Sequence, residues 1–400
     1  MKIGYLLGVF PKYSEIFIIR QIESVLMEGN DVVIISTREV DFKKVKEYSP
    51  YIFKMYGRSK ISFLELDIEK TKTAKRVFFN IISFVRLIQA GVSIKNSVRA
   101  LNLAELDLKD IDILHVQFLS LAPIATLVNE RILKIASIRG KDITSKKAIS
   151  KGEMRLIKDN YSFFLPVSES LKRAAIDKGI SRQRLKVIYS SLDVKALPFS
   201  TRSRKQGVTR FAQVGRMVEK KGFELSIDLV GFFKKQNTEI NLTIVGDGER
   251  IHRLKRKTKN LEIEDSVSFI GEKPNSEVID VLNKSDFLLV PSLTASDGDS
   301  EGIPNVAKEA MALGCVVIIS DHSGNAELID STQGFVFKEA NFNDFVRVAL
   351  HAVNSSEEKL NLIRRNARRK VERYFDHNSV TPRLLNTYNS LLASQDKKLK

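Results

Sequence analysis

The chain has 400 residues, 43% of them hydrophobic, which is enough for two packed cores and more than one core usually spans. Its 65 Lys+Arg exceed its 48 Asp+Glu, and the excess is concentrated in residues 1–200 (34 against 21) over residues 201–400 (31 against 27), a field suited to nucleic acid, anionic lipid or an anionic small molecule. A single cysteine, Cys315, excludes an internal disulfide, and no uncharged run is long enough for a membrane-spanning helix. With no signal-like segment before Pro11, a cytoplasmic location is expected.

Short apolar runs alternate with helix-length segments along the first half: "KIGYLLGVF", then a helix over 14–28, "DVVIIST", "DILHVQF", a helix over 121–131, "ILKIASI", "YSFFLPVS" and a helix over 169–179. Continuous apolar strands are those buried on both faces, so the pattern predicts a parallel α/β sheet. A polar, basic stretch, "STRSRKQGVTR" (200–210), then reads as an interdomain linker. Five more runs follow, "RFAQVG", "NLTIVG", "SVSFIG", "DFLLVPS" and "CVVIIS", with Cys315 packing in the last. The expectation is an α/β chain of two Rossmann-like, doubly wound parallel-sheet domains facing a central cleft: residues 1–196, a linker over 197–209, and residues 210–377, with a terminal helix over about 378–395 returning to the first domain.

The second domain carries the informative turns. In "VGRMVEKKG" a strand ends at Gly215 and a helix begins near Gly222, placing Arg216 and Lys221 where a fork and a point charge can meet a diphosphate. "IVGDGE" repeats the layout, with Gly246 and Gly248 allowing close backbone approach. The acidic stretch "DGDSEGIPNVAKEAMALG" (297–314) then enters a helix beginning at Pro304. Glu301 lies just outside that helix and Glu309 over a turn further in. The pair would accept hydrogen bonds from hydroxyls at either end of a ligand whose middle is a diphosphate, held by Arg216, Lys221 and the helix N-terminus. A nucleotide-sugar has that layout. The "DGD" is not expected to bind metal, because Arg216 and Lys221 already meet the phosphate charge and no further acid cluster completes a site.

Taken together, the G-R-x-V-x-x-K-G turn, "IVGDGE", the E-x7-E pair Glu301/Glu309 and "SGNAELI" (323–329) resemble the retaining family 4 glycosyltransferases of the B-type fold. The forms "DGDSEGIP" and "FPKYSEIFIIRQI" resemble their exopolysaccharide, capsule and O-antigen branch. The resemblance implies donor contacts at Gly215, Arg216, Lys221, Gly246, Gly248, Glu272, Gly302, Ile303, Pro304 and Glu309. In it the position of Glu309 holds the ribose diol, that of Glu301 contacts the transferred sugar, and the loop at Gly271–Lys273 reads the base. It implies charge stabilisation by Arg216 and Lys221, without metal or other cofactor.

In the first domain that family often has histidines where this chain reads "HVQF" and "RGKD". His115 is a catalytic candidate, with a packed strand residue as its alternative. Ser14, Gln117, Arg139 and Asp142 are candidates on the acceptor side. The function implied is transfer of a hexose from a nucleotide-diphosphate-sugar to a polyprenyl-diphosphate-linked glycan. A nucleotide-sugar epimerase of the same fold is the alternative, and a basic nucleic-acid-binding protein is a distant one; no nucleic-acid partner is expected. Finally, the segment 73–101 combines apolar Val77, Phe78, Ile81, Ile82, Phe84, Val85 and Ile88 with basic Lys75, Arg76, Arg86, Lys95 and Arg99. It reads as a helix lying on an anionic membrane surface, which would place the chain at the inner face of the cytoplasmic membrane.

Overall fold

The computed structural model describes residues 1–12, 15–66, 80–146, 149–201 and 207–399. The chain divides into two units, Met1–Ser191 with Val380–Lys400, and Leu192–Ser379. The division falls nearer the N-terminus than the expected boundary after residue 196. The reason is a backbone pairing: Leu192 donates to Phe375 O at 2.8 Å and accepts from His377 N at 2.9 Å, which ties it to the second unit. Part of the expected linker, residues 202–206, lies outside the described residues.

The first unit is built on strands β1 (Lys2–Leu7), β2 (Asp31–Ser36), β3 (Ile61–Glu65), β4 (Ile113–Val116), β5 (Leu133–Ile138) and β6 (Phe163–Pro166), in the order β3-β2-β1-β4-β5-β6. Every pairing is parallel. Alternate residues of β1 explain its unbroken apolar sequence: Ile3, Tyr5 and Leu7 pack with Ile18, Ile22 and Val25, while Leu6 packs with Leu114 and Val116 on the other face. Helix Ile16–Met27 follows β1 as expected. The helix expected over 121–131 is instead a 3-10 stretch at Leu119–Ala125 with Pro123 inside it, whose ring removes an N–H that an α-helix would need.

The second unit repeats the design with β7 (Thr209–Val214), β8 (Ile240–Val245), β9 (Val267–Phe269), β10 (Phe287–Val290), β11 (Val316–Ser320) and β12 (Phe335–Phe337), ordered β12-β11-β10-β7-β8-β9 and parallel throughout. Phe211 of β7 sits 5.6 Å from the ring of Phe287 and 6.1 Å from that of Phe233, on the helix Phe223–Lys235. Cys315 is buried and outside any disulfide, a packing residue at the entry to β11. Both units have the strand order of doubly wound sheets, which collect ligands beyond the carboxyl ends of their strands.

Candidate active site

In the second unit those strand ends are occupied by the residues that the sequence singled out. After β7 the chain turns through Gly215 and Arg216 into the short 3-10 turn Glu219–Lys221 and then the helix Phe223–Lys235. Gly222 makes the turn possible: its φ is +62°, and a Cβ there would lie 2.0 Å from Pro291 O. After β8, Gly246 has φ +131°, and a Cβ on it would lie 2.0 Å from Gly215 O. The two turns are thus in backbone contact, and Met217 N donates to Asp247 O at 2.8 Å between them. Arg216 is exposed, and its guanidinium has no ion pair or side-chain hydrogen bond among the described residues.

The acidic stretch folds onto this turn. Lys221 Nζ is 3.3 Å from Glu301 Oε1, and Lys220 Nζ is 3.3 Å from the same oxygen and 3.0 Å from Asp299 Oδ1. Burial would raise the Glu301 pKa, but the two ammonium groups outweigh it and bring it down to about 2. Asp299 is therefore committed to a lysine, and its own N–H donates to Asp297 Oδ1 at 2.8 Å. Glu301 N–H reaches His322 Nε2 at 3.4 Å, while His322 Nδ1 lies 3.0 Å from Glu339 Oε2. Among the described residues no group of three or more His, Cys, Asp or Glu side chains is arranged to hold a metal ion.

Gly302, Ile303 and Pro304 lead into the helix Asn305–Leu313, which has no side-chain cap on its first N–H groups. Glu309 is on the second turn of that helix and 4% exposed. Asn275 Nδ2 donates to its Oε1 at 3.2 Å. Asn275 opens the helix that follows Gly271, exposed Glu272 and Lys273, so the loop expected to meet a base adjoins the carboxylate expected to meet a ribose. The structure brings Gly215, Lys221 and Glu301 into one cluster, with Gly246 packed against Gly215, and Glu309 with the loop before Asn275 into another. Sequence reasoning missed Lys220 and His322. The doublet "EKKG" was the visible signal for the first; nothing in "SDHSG" distinguishes the second.

The candidates in the first unit are differently placed. His115, on β4, is fully buried, with Nδ1 2.6 Å from Tyr388 Oη and Nε2 2.8 Å from Ser137 Oγ. Burial, helped by the charge of Arg139, pushes its pKa down to about 3. Both nitrogens are used and the ring is out of reach of solvent, so His115 is the packed strand residue that was the alternative to a catalytic role. Arg139 donates to Gln117 O at 3.0 Å, to Gln117 Oε1, to Gln21 Oε1 at 3.1 Å and to Ser190 Oγ at 3.2 Å, and lies over the Phe17 ring. Asp142 accepts from Leu119 N at 2.8 Å, Gly140 N at 2.9 Å and Arg139 N at 3.1 Å, which makes it a loop organiser. Ser14 lies outside the described residues.

Two parallel six-stranded Rossmann-like sheets, the second bearing a paired cation and carboxylate cluster at its strand ends, match the architecture of the B-type glycosyltransferase fold. Residues 199–370 match the family Glycosyl transferases group 1. It is 28% identical over 397 residues to the amylovoran biosynthesis glycosyltransferase AmsK of Erwinia amylovora, covering 94% of this chain and 96% of that one. It is also 27% identical over 420 residues to the putative colanic acid biosynthesis glycosyltransferase WcaL of Escherichia coli K12, covering 98% and 100%. Among solved structures, Anabaena Alr3699/HepE in complex with UDP and glucose superposes with a TM-score of 0.73 at 18% identity, over 98% of this chain and 100% of that one. The family match leaves the epimerase alternative without support.

Proposed function

We propose that the chain transfers a hexose, with retention of configuration, from a nucleoside-diphosphate sugar to a hydroxyl of a lipid-linked oligosaccharide during synthesis of a bacterial surface polysaccharide. The observation that carries this reading is the pairing of Lys221 with Glu301 beside an exposed Arg216, with Glu309 further along the adjoining helix. In this reading Arg216, Lys221 and the uncapped N–H groups at Asn305 receive the diphosphate, Glu309 the ribose hydroxyls and Glu301 the hydroxyls of the sugar. The names of the relatives, and the UDP and glucose bound in the Anabaena protein, support this choice of substrate class.

Retention follows if the acceptor attacks on the face from which the diphosphate leaves and the departing phosphate takes its proton. The two cations then stabilise the charge that develops on the leaving group, and no side-chain base is required. That scheme suits a first unit whose only strand-end histidine candidate, His115, is sealed in the core. Asp299 is held by Lys220, so the D-x-D pair enters the proposal as a structural element, and the reaction is proposed to be metal-independent. Calorimetry with UDP and GDP, followed by turnover of UDP- and GDP-hexoses with and without EDTA, tests the reading. Binding of neither nucleotide, or complete loss of turnover in EDTA restored by Mg²⁺, would overturn it.

The acceptor is proposed to be met at an anionic membrane. No described helix is long and apolar enough to cross a bilayer. The helix Ile81–Gln89, however, leaves Ile81 (54%), Ile82 (67%), Val85 (43%) and Ile88 (38%) exposed beside exposed Arg86, with Ile94 (70%) and Lys95 following. Such a face suits an interfacial helix. Arg99 does not belong to it: its guanidinium is buried and donates to Thr37 O at 2.9 Å, so this residue ties down the helix Ile94–Ala104. Val77, Phe78, Lys75 and Arg76 lie outside the described residues. Co-sedimentation with vesicles of anionic lipid at low salt should be lost on Ile82→Asp and weakened by Arg86→Glu. Equal binding to neutral vesicles would refute the electrostatic part.

A further inference from the structure

We propose that Lys220, anchored by Asp299, is a positioning residue for Glu301, holding that carboxylate in place so that Lys221 is left to the diphosphate. The inference rests on the site reading above and adds to it a residue outside the recognised motif. The two lysines share one oxygen: each Nζ lies 3.3 Å from Glu301 Oε1. They differ in what else they touch. Lys220 also reaches Asp299 Oδ1 at 3.0 Å, and its side chain is 12% exposed, whereas Lys221 is 19% exposed and lies over Gly215 at the exit of β7.

The cluster of two ammoniums and two carboxylates is electrically balanced without ligand. An incoming diphosphate takes Lys221 and leaves Glu301 in need of a partner. With Lys220 in place Glu301 keeps one, because the Lys220 ammonium is also held by Asp299 and carries protons for both carboxylates. Without it, Lys221 would have to choose between the phosphate and Glu301, and binding a donor would release the carboxylate meant to meet the sugar. The backbone is built for this role. Lys220 O accepts from Leu293 N at 2.9 Å, tying the lysine turn to the segment leaving β10, and Asp299 O accepts from Ala295 N at 2.9 Å, closing the loop that carries Asp299 and Glu301. The lowered pKa of Glu301 and the raised pKa of Lys220, in which Glu301 and Asp299 outweigh the effect of burial, agree with the geometry.

The test uses the full chain, UDP and GDP as binding probes, and a panel of UDP- and GDP-hexoses for turnover. Lys220→Met should leave nucleotide affinity within about threefold of wild type and lower turnover roughly 10–100-fold. The deciding measurement is a cycle with Glu301→Gln. Because Lys220 acts through Glu301, Lys220→Met in that background should cost less than about threefold. Should Lys220→Met fail to fold, Asp299→Asn, which keeps both lysines and removes only the anchor, should show the same non-additivity on a smaller scale. Unchanged turnover, equal costs in both backgrounds, or a loss of nucleotide affinity matching the loss of turnover would overturn the proposal while leaving the site reading intact. A wild-type chain that binds neither UDP nor GDP overturns the site reading, and this inference with it.

Discussion

At the carboxyl ends of β4 and β5 in the first unit stand His115, Gln117, Arg139 and Asp142, whose hydrogen-bonding atoms are largely used by their neighbours. At the carboxyl end of β7 in the second unit stand Arg216, exposed and without a side-chain partner among the described residues, and Lys221, paired with Glu301 from the segment that follows β10. The strand orders match, so topology does not separate a structural strand end from a binding one. What separates them is whether charge is spent internally. In the first unit burial dominates, driving His115 to its neutral form and raising the Asp142 pKa. In the second, burial is outweighed by paired charge, and Glu301 stays ionised.

The comparison is broken most sharply at Glu301. Glu301→Ala should lower turnover about 100–1000-fold while sparing nucleotide affinity, because the loss falls on the group proposed to meet the sugar and frees Lys221, proposed to meet the phosphate. Kinetics beside UDP or GDP calorimetry check it. A parallel loss of affinity would place Glu301 on the nucleotide. Next, Glu309→Ala should weaken binding of the free nucleoside diphosphate by roughly 1.5–3 kcal/mol, the usual cost of removing a charged acceptor. Equal affinity losses in the two variants would contradict the division of labour.

A pH series sharpens the same contrast. His115 has a folded pKa of about 3 against an ordinary 6.5, so between those values the unfolded chain binds a proton that the folded chain does not. Its contribution to stability is complete above about pH 6.5 and is lost as pH falls, at up to about 1.4 kcal/mol per pH unit. Glu301, lowered from 4.5 to about 2, contributes fully above about pH 4.5 and loses its contribution only below it. Between pH 5 and 6.5, then, the first unit should weaken while the Glu301 pairs are silent. Melting curves of wild type and His115→Gln should converge as pH drops across that window, and curves that stay parallel would refute a neutral His115.

The sequence disclosed the parallel α/β design because doubly buried strands such as β1 and β11 are unbroken apolar runs. It hid β3 and β12 for the same reason reversed: Ile61–Glu65 is an edge strand with one fully buried residue, and Phe335–Phe337 has three residues in all, too few for a period to show. At the site, spacing was enough for Lys221, Glu301 and Glu309, whose separation along the chain the turn and helix convert directly into place. It was not enough for Lys220, which looks like any surface lysine until the loop carrying Asp299 folds over it. Nor did it decide His115, since an apolar strand with one histidine reads the same whether the ring faces a ligand or, as here, Tyr388 and Ser137.

The smallest expected effect tests whether the second cluster is one device or two neighbours. Asn275 follows the loop proposed to meet the base, and its amide donates to Glu309, the carboxylate proposed to meet the ribose. If that bond orients Glu309, Asn275→Ala should weaken UDP or GDP binding by only about 0.5–1.5 kcal/mol, the net worth of an ordinary hydrogen bond, because the carboxylate itself survives. The variant should leave the rate at saturating donor unchanged, since nothing at Glu301 or Lys221 has moved. It should also cost nothing further once Glu309 is already alanine, since a bond to an absent acceptor cannot be lost. Calorimetry on the two single variants and the double variant measures this directly. A full additive loss in the double variant would show that Asn275 touches the nucleotide by itself and that the contact with Glu309 is incidental.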